Sequence, residues 1–203
     1  MDIKNKASIH LIIGPMFSGK TELLIERYND SNKKNFISRA FNYYKDTRYG
    51  DNKIVSHDGT SINSVNIDRL SELFVGENFE TVEHPYTHIF INEAQFFPDL
   101  KESVIRLVEY YHKHVVICGL DSDFKREKFG NMWDLIPHAD KLTKLYGKCN
   151  NCSGKSLFTH RISCEKEQEV IGNKNYIPLC RICYIMKNKD DNKSKERTHH
   201  CIM

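Results

Sequence analysis

The chain has no long hydrophobic run, no large excess of charge of either sign, and no internal repeat. Its apolar stretches, such as the one around Val115 to Ile117, fall far short of the ~18 residues a membrane span needs. The first residues, Met1 to Lys6, carry charge but no apolar h-region, so no secretory signal is expected. A prenylation box needs its Cys fourth from the end, and His200 stands there, ahead of Cys201, Ile202 and Met203; no lipid anchor is expected. Thirty Lys+Arg against 27 Asp+Glu leave a formal charge of +3, too little for electrostatics alone to mark a nucleic-acid or membrane-surface protein. Membrane and secreted classes are therefore set aside.

What is present is enough for a packed core: 39% hydrophobic residues over 203 positions, the length of one domain with a small appendage. Strand patterns at Ser8 to Ile13, 87–92 and 114–120 are nearly continuous apolar runs. They alternate with helical patterns, one from about Gly19 to Asn29 and one opened by Pro98. A weaker strand pattern covers Asn35 to Phe41, and Tyr43 to Ser64 reads as a long loop with a short strand at Ile54 to Ser56. Apolar strands alternating with helices predict a parallel sheet covered on both faces. After Lys144 the apolar content is too small for a separate core, and the segment between Cys149 and Cys183 reads as a small metal-stapled module.

The sharpest motif is Gly14-Pro15-Met16-Phe17-Ser18-Gly19-Lys20-Thr21, a match to G-x-x-x-x-G-K-[ST]. Backbone amides of such a loop surround phosphate oxygens, the Lys neutralises the outer phosphates, and the Thr hydroxyl ligates Mg²⁺. The pattern arises by accident in roughly 1% of chains this long, but here it lies between a strand and a helix, as the mechanism requires. Glu93 follows an apolar strand and is the candidate general base, its idle alternative being a solvated strand-end carboxylate. Cys149, Cys152, Cys180 and Cys183 form two C-x-x-C pairs and offer four thiolates to one tetrahedral Zn²⁺, against the alternatives of buried thiols or redox pairs. The 27 residues between the pairs, pinned at both ends by one metal, are a candidate lid. Cys118 reads as core; Cys164 and Cys201 have no partner at metal spacing. Asp46, Arg48, His57 and Asp58 belong to a polar loop that, taken alone, reads as solvated surface more often than as a site, and Phe124 and Phe129 read as core by spacing alone.

Taken together, Pro15-Met16-Phe17-Ser18, Asp46-Thr47-Arg48-Tyr49, Glu93-Ala94-Gln95-Phe96-Phe97, the paired cysteines and Val170-Ile171-Gly172 resemble the type II thymidine kinases, the cellular cytosolic, bacterial and poxviral group. The resemblance runs from about Ser8 to Met186. It implies an α/β fold, with a RecA-like P-loop core over 1–146, a zinc-binding domain with a substrate lasso over 147–186, and a polar tail over 187–203. The implied activity is transfer of the ATP γ-phosphate to the 5′-hydroxyl of thymidine, with structural Zn²⁺, Mg²⁺ accompanying ATP, a cytoplasmic location, a homotetramer, feedback inhibition by dTTP, and no nucleic-acid or membrane partner. By motif position, Gly14 to Thr21 hold the donor phosphates, with Asp46, Thr47, Arg48, Asn92, Ala94 and Gln95 beside them and Thr21 on Mg²⁺. Glu93 matches the family's base, and Phe124 an aromatic that packs on thymine; Phe96 and Phe129 line the same pocket. Gln168, Glu169, Val170, Ile171 and Gly172 present backbone to the base, Tyr176 meets the deoxyribose, and Met16 and Thr159 lie near the 5-methyl group.

Two positions depart from the family's pattern. Asn92 stands where Asp usually precedes the catalytic Glu, which predicts weaker Mg²⁺ binding, and the segment between Gly172 and Tyr176 is one residue short. Two other functions compete. A zinc-containing, nucleic-acid-dependent P-loop ATPase would want a basic stripe in the zinc module, where Glu165, Glu167 and Glu169 stand instead. A non-catalytic nucleotide sensor with a weakened site at Asn92 is the other.

Overall fold

A computed structural model describes residues 7–46, 52–74, 86–165, 167–169, 172 and 174–189. Six strands make the central sheet: β1 (Ser8–Gly14), β2 (Ser38–Tyr43), β5 (Val65–Ile67), β6 (His88–Ile91), β7 (His114–Leu120) and β8 (Lys141–Lys144). They lie in the order β5-β2-β6-β7-β1-β8, and every neighbouring pair is parallel. The apolar runs of β1, β6 and β7 are continuous because both faces are covered. Ile9, Leu11, Ile13, Ile89, Ile91, Val115 and Ile117 pack on one face with α2 (Leu100–Ile105) and Leu135. The alternate residues Ile12, Phe90 and Cys118 pack on the other face with Leu24 and Ile25 of α1 (Lys20–Lys33). Burying a side chain of this size stabilises by roughly 1.5–3 kcal/mol.

The structure differs from the sequence expectation in three places, each for a local reason. In the loop expected over Tyr43 to Ser64, the short strand expected at Ile54 to Ser56 is present as β3 (Lys53–Val55), and it pairs in a hairpin with an unexpected β4 (Ser61–Asn63), Ile54 and Ile62 meeting in register and burying against the α1 face. Three residues per strand are too few to declare a period of two. β8 went unseen because Lys-Leu-Thr-Lys is polar and forms an edge, held to β1 by the backbone. The second helix starts at Leu100, two residues after Pro98, and continues as a π turn over Arg106–Tyr110. Asp99 caps elsewhere: its carboxylate accepts from the amides of Leu70 and Ser71, at 3.0 and 2.6 Å.

After β8 come two small antiparallel pairs, β9 (Gly147–Lys148) with β10 (Lys155–Ser156) and β11 (Phe158–Arg161) with β12 (Tyr176–Leu179), then a helix α3 over 181–189. Their apolar cluster has three buried members, Cys149, Leu179 and Tyr184.

The N-terminal edge of the sheet carries a histidine stripe. His88 and His114 stack at 4.7 Å, and Phe36 stacks on His88 at 4.4 Å. Burial first, then His114 and Lys34, lowers the His88 pKa to about 4; burial, then Lys141 and Arg27, lowers His10 to about 4; burial lowers His114. In the unfolded chain these groups take up protons near pH 6.5, whereas the folded state resists protonation down to about 4. The unfolded state therefore binds more protons across that window, and stability falls as pH drops through it. Thermal unfolding followed by circular dichroism is expected to give a melting temperature that declines steadily between about pH 7 and pH 5. His88→Gln should flatten that slope; an identical slope in the variant would remove His88 as a cause.

Candidate active site

Phosphate loop, strand ends and zinc-module strands meet at the C-terminal edge of the sheet, where open parallel sheets place their ligands. Between β1 and α1 the loop 14–19 turns through two left-handed residues, Phe17 (φ 61°) and Gly19 (φ 80°). Glycine accepts this conformation freely, while Phe17 bears a strain of about 1–2 kcal/mol. Such turns aim successive amides into a concavity suited to anions. Ser18 Oγ and Lys20 Nζ both donate to the Pro15 carbonyl, at 2.8 and 2.7 Å. The amide of Met16 faces the zinc module, donating to Thr159 Oγ1 at 2.9 Å.

Beyond β6, Asn92 is 3% exposed and its amide is engaged on both sides. Its Nδ2 donates to Asn42 Oδ1 at 2.9 Å, and its Oδ1 accepts from the Cys118 thiol at 3.0 Å and from Thr21 Oγ1 at 3.4 Å. Burial, then the charge of Glu93, pushes the Cys118 pKa up to about 12, so Cys118 remains a thiol and can donate. A carboxylate at 92 would turn an oxygen toward Asn42 Oδ1, so the amide suits its surroundings. Glu93 is itself left-handed (φ 51°), and Gln95 Nε2 donates to its Oε2 at 2.6 Å. Gln95 is fixed from its other end, Oε1 accepting from the Leu120 amide at 3.0 Å. Two glycines make room for Gln95. A Cβ on Gly130 would stand 2.0 Å from the Gln95 carbonyl oxygen, and one on Gly119 2.7 Å from Oε1.

These groups open onto one cleft, with about 170 Å³ of cavity volume. At the loop end it is lined by Met16 through Thr21, with Asp46, Asn92, Glu93 and Gln95. On the far side stand Phe96, Phe124, Phe129, Thr159, Gln168, Glu169, Gly172 and Tyr176. Phe96 packs edge-on to Phe129 at 5.3 Å and stacks on Tyr43 at 5.0 Å, building an apolar floor. Phe124 and Phe129, read as core by spacing alone, are thus walls of the cleft. His57 and Lys53 line it as well, whereas Gly14, Pro15 and Ala94 do not; Ala94 is wholly buried in the core. Thr47, Arg48, Val170 and Ile171 lie outside the described residues.

Cys149, Cys152, Cys180 and Cys183 converge, their sulfurs all within 4.8 Å of one another. Cys152 and Cys180 Sγ are 3.6 Å apart, close to the ~3.8 Å edge of a tetrahedron with Zn–S bonds of ~2.3 Å. The Cys183 thiol is pushed up to about 12, first by its hydrogen bond to Cys180, while backbone N–H groups outweigh burial and draw Cys149 down to about 6. Four sulfurs this close cannot all ionise unless a cation stands among them. The donor set fits a closed structural metal site.

Arg161 and Asp123 were invisible in the sequence. Both are 5% exposed, and both bond Gln168. Asp123 accepts the amides of Lys125 and Glu127 at Oδ1 and the Gln168 side chain at Oδ2, 2.9 Å. An Asp in the polar stretch after β7 gives no signal of burial. Arg161 stands near three glutamates and reads as surface charge.

A family model described as Thymidine kinase matches residues 7–184. Curated relatives include Thymidine kinase of Oryza sativa subsp. japonica, 38% identical over 87% of this chain and 66% of its own length. Thymidine kinase a of Arabidopsis thaliana is 32% identical over 100% of this chain and 88% of its own. Thymidine kinase of Yaba monkey tumor virus is 37% identical over 89% of this chain and 96% of its own.

Proposed function

This chain belongs to the thymidine kinase family, and on that premise we propose that it transfers the γ-phosphate of ATP to the 5′-hydroxyl of thymidine. The observation that supports the proposal is that Glu93, residues of the G-x-x-x-x-G-K-T loop and an aromatic set line one cleft. Loop amides and Lys20 take the donor phosphates, with Arg48 as a further cation by motif. The nucleoside lies against Phe124, Phe96 and Phe129, its base toward the lasso backbone and its sugar toward Tyr176. Glu93 accepts the proton of the 5′-hydroxyl as that oxygen bonds to the γ-phosphorus and the bond to the β–γ bridging oxygen breaks, releasing ADP. Gln95, bound at both ends, keeps the carboxylate aimed. Lys20 stabilises charge developing on the transferred group.

Thr21 Oγ1 and Asn92 Oδ1 are hard oxygen donors 3.4 Å apart and would hold the Mg²⁺ that accompanies ATP. That ion, when bound, neutralises phosphate charge. Zn²⁺ is the proposed occupant of the four-cysteine site; with every ligand position filled by sulfur its part is structural. A homotetramer, feedback inhibition by dTTP and a cytoplasmic location belong to the same proposal.

The test is a phosphoryl-transfer assay across the natural deoxynucleosides, with and without DNA. Thymidine-dependent ADP release, with dTMP formed in equal amount, is the expected result. ATP hydrolysis stimulated by DNA and indifferent to thymidine would overturn it in favour of the nucleic-acid ATPase. Nucleotide binding with no turnover on any nucleoside would favour the sensor.

A further inference from the structure

We propose that Arg161 is a positioning residue for the nucleoside subsite, holding the aromatic wall and the lasso as one unit from behind the cleft. The inference rests on the function proposed above for that subsite.

Arg161 ends β11 in register with Tyr176 at the start of β12. Its guanidinium centre lies 3.8 Å from the centroid of the Phe124 ring and 5.1 Å from that of Tyr176. Nη2 donates to the Tyr176 hydroxyl at 2.6 Å and to the Gln168 carbonyl at 3.0 Å. Nη1 donates to the Glu165 carbonyl at 3.1 Å and to the Glu167 carbonyl. One cation thus stacks on one cleft residue, bonds the hydroxyl of a second and the backbone of a third: Phe124, Tyr176 and Gln168 all line the cleft, and Arg161 does not. It reaches the substrate only through them.

The chemistry requires arginine. A planar fork with five donors can serve several carbonyls at its rim while its face lies on an aromatic ring. A lysine ammonium keeps the charge but has three donors at one point and no plane to stack. Gln168 carries the arrangement across the cleft, its Nε2 donating to Asp123 Oδ2 at 2.9 Å and to the Lys128 carbonyl at 3.1 Å. The described residues Glu165, Glu167 and Gln168 are therefore bound to Arg161 of β11, and Gln168 also to the segment after β7. None of these bonds reaches the phosphate loop.

The experiment compares wild type with Arg161→Lys and Arg161→Gln in the full chain. Losing several charge-assisted bonds is expected to raise the thymidine KM by about tenfold or more, with the ATP KM and the zinc content within about twofold of wild type. A second readout does not depend on the nucleoside's identity: cleavage by a Glu-specific protease at Glu165, Glu167 and Glu169 should be faster in both variants. Unchanged thymidine KM in Arg161→Lys, with wild type active on thymidine, would overturn the positioning role. So would a parallel rise of both KM values with loss of zinc, which would make Arg161 a general stability residue. If wild type is inactive on thymidine, the proposed function fails on its own, and an unaltered cleavage rate in the variants would then still refute the clamp.

Discussion

Glu93→Gln is expected to lower kcat by about 10²–10⁴-fold, the usual contribution of a general base, while ATP and thymidine titrations stay close to wild type. The substitution keeps shape and removes proton affinity. The variant's amide oxygen can still accept from Gln95 Nε2, which reaches the Glu93 carboxylate at 2.6 Å in the wild type. Nothing in the left-handed backbone at 93 distinguishes Gln from Glu. Lost turnover with retained binding would mark proton transfer as the missing step. A variant that keeps half of the wild-type kcat would remove Glu93 from the chemistry.

Cys180→Ser carries the second large effect. Cys180 sits at the junction of β12 and α3, and its sulfur accepts from the Cys183 amide at 3.5 Å. With one thiolate lost, the remaining three hold Zn²⁺ poorly, and the two ends of the lasso are no longer joined through a metal. The small apolar cluster of Cys149, Leu179 and Tyr184 cannot replace it, because a structural zinc in a small module contributes on the order of 10 kcal/mol. The sheet keeps its two packed faces and should survive. Zinc content by mass spectrometry should fall to nearly nothing, and the thymidine KM should rise strongly. Calorimetric ATP affinity should be largely retained, since the described phosphate loop gives one hydrogen bond to the cysteine-bearing module, from the Met16 amide to Thr159 Oγ1. Stoichiometric zinc in the variant would disprove the four-cysteine site. Zinc loss with normal thymidine binding would show that the lasso does not form the nucleoside subsite.

How far such residues could be read from the sequence depended on whether their signal is local. The phosphate loop is eight consecutive residues between an apolar strand and a helix, so its pattern and context lie together. β7 (His114–Leu120) was legible for a similar reason: burial on both faces leaves an unbroken apolar run. The cysteine pairs were legible by spacing, although their convergence depends on the β9–β10 turn meeting the start of α3. Signals that arise only from tertiary packing were not legible. Ile54 and Ile62 gain meaning only when the hairpin lies on α1. Phe124 read as core by spacing and as a pocket wall only through the family resemblance, and its contact with Arg161 had no sequence signal at all. Asn92 read as a deficit of charge, yet its amide proved to have Asn42, Cys118 and Thr21 as partners, drawn from three other elements.

The position of β1 has a consequence for the order in which the protein can assemble. β1 leaves the ribosome before every other strand of the sheet, yet its two neighbours in the sheet are β7 and β8, the last strands of that sheet. Until Lys144 has been made, the strand that launches the phosphate loop has an incomplete set of hydrogen-bonding neighbours. At about 5–20 residues per second this delay lasts on the order of ten seconds. The nascent chain carries an apolar β1 that is unpaired until β7 is made and half-paired until β8 is, while β2, β5 and β6 can already pair with one another. Non-local closure of this kind makes folding slow, and it makes β1 the segment for which chaperone capture during synthesis matters most.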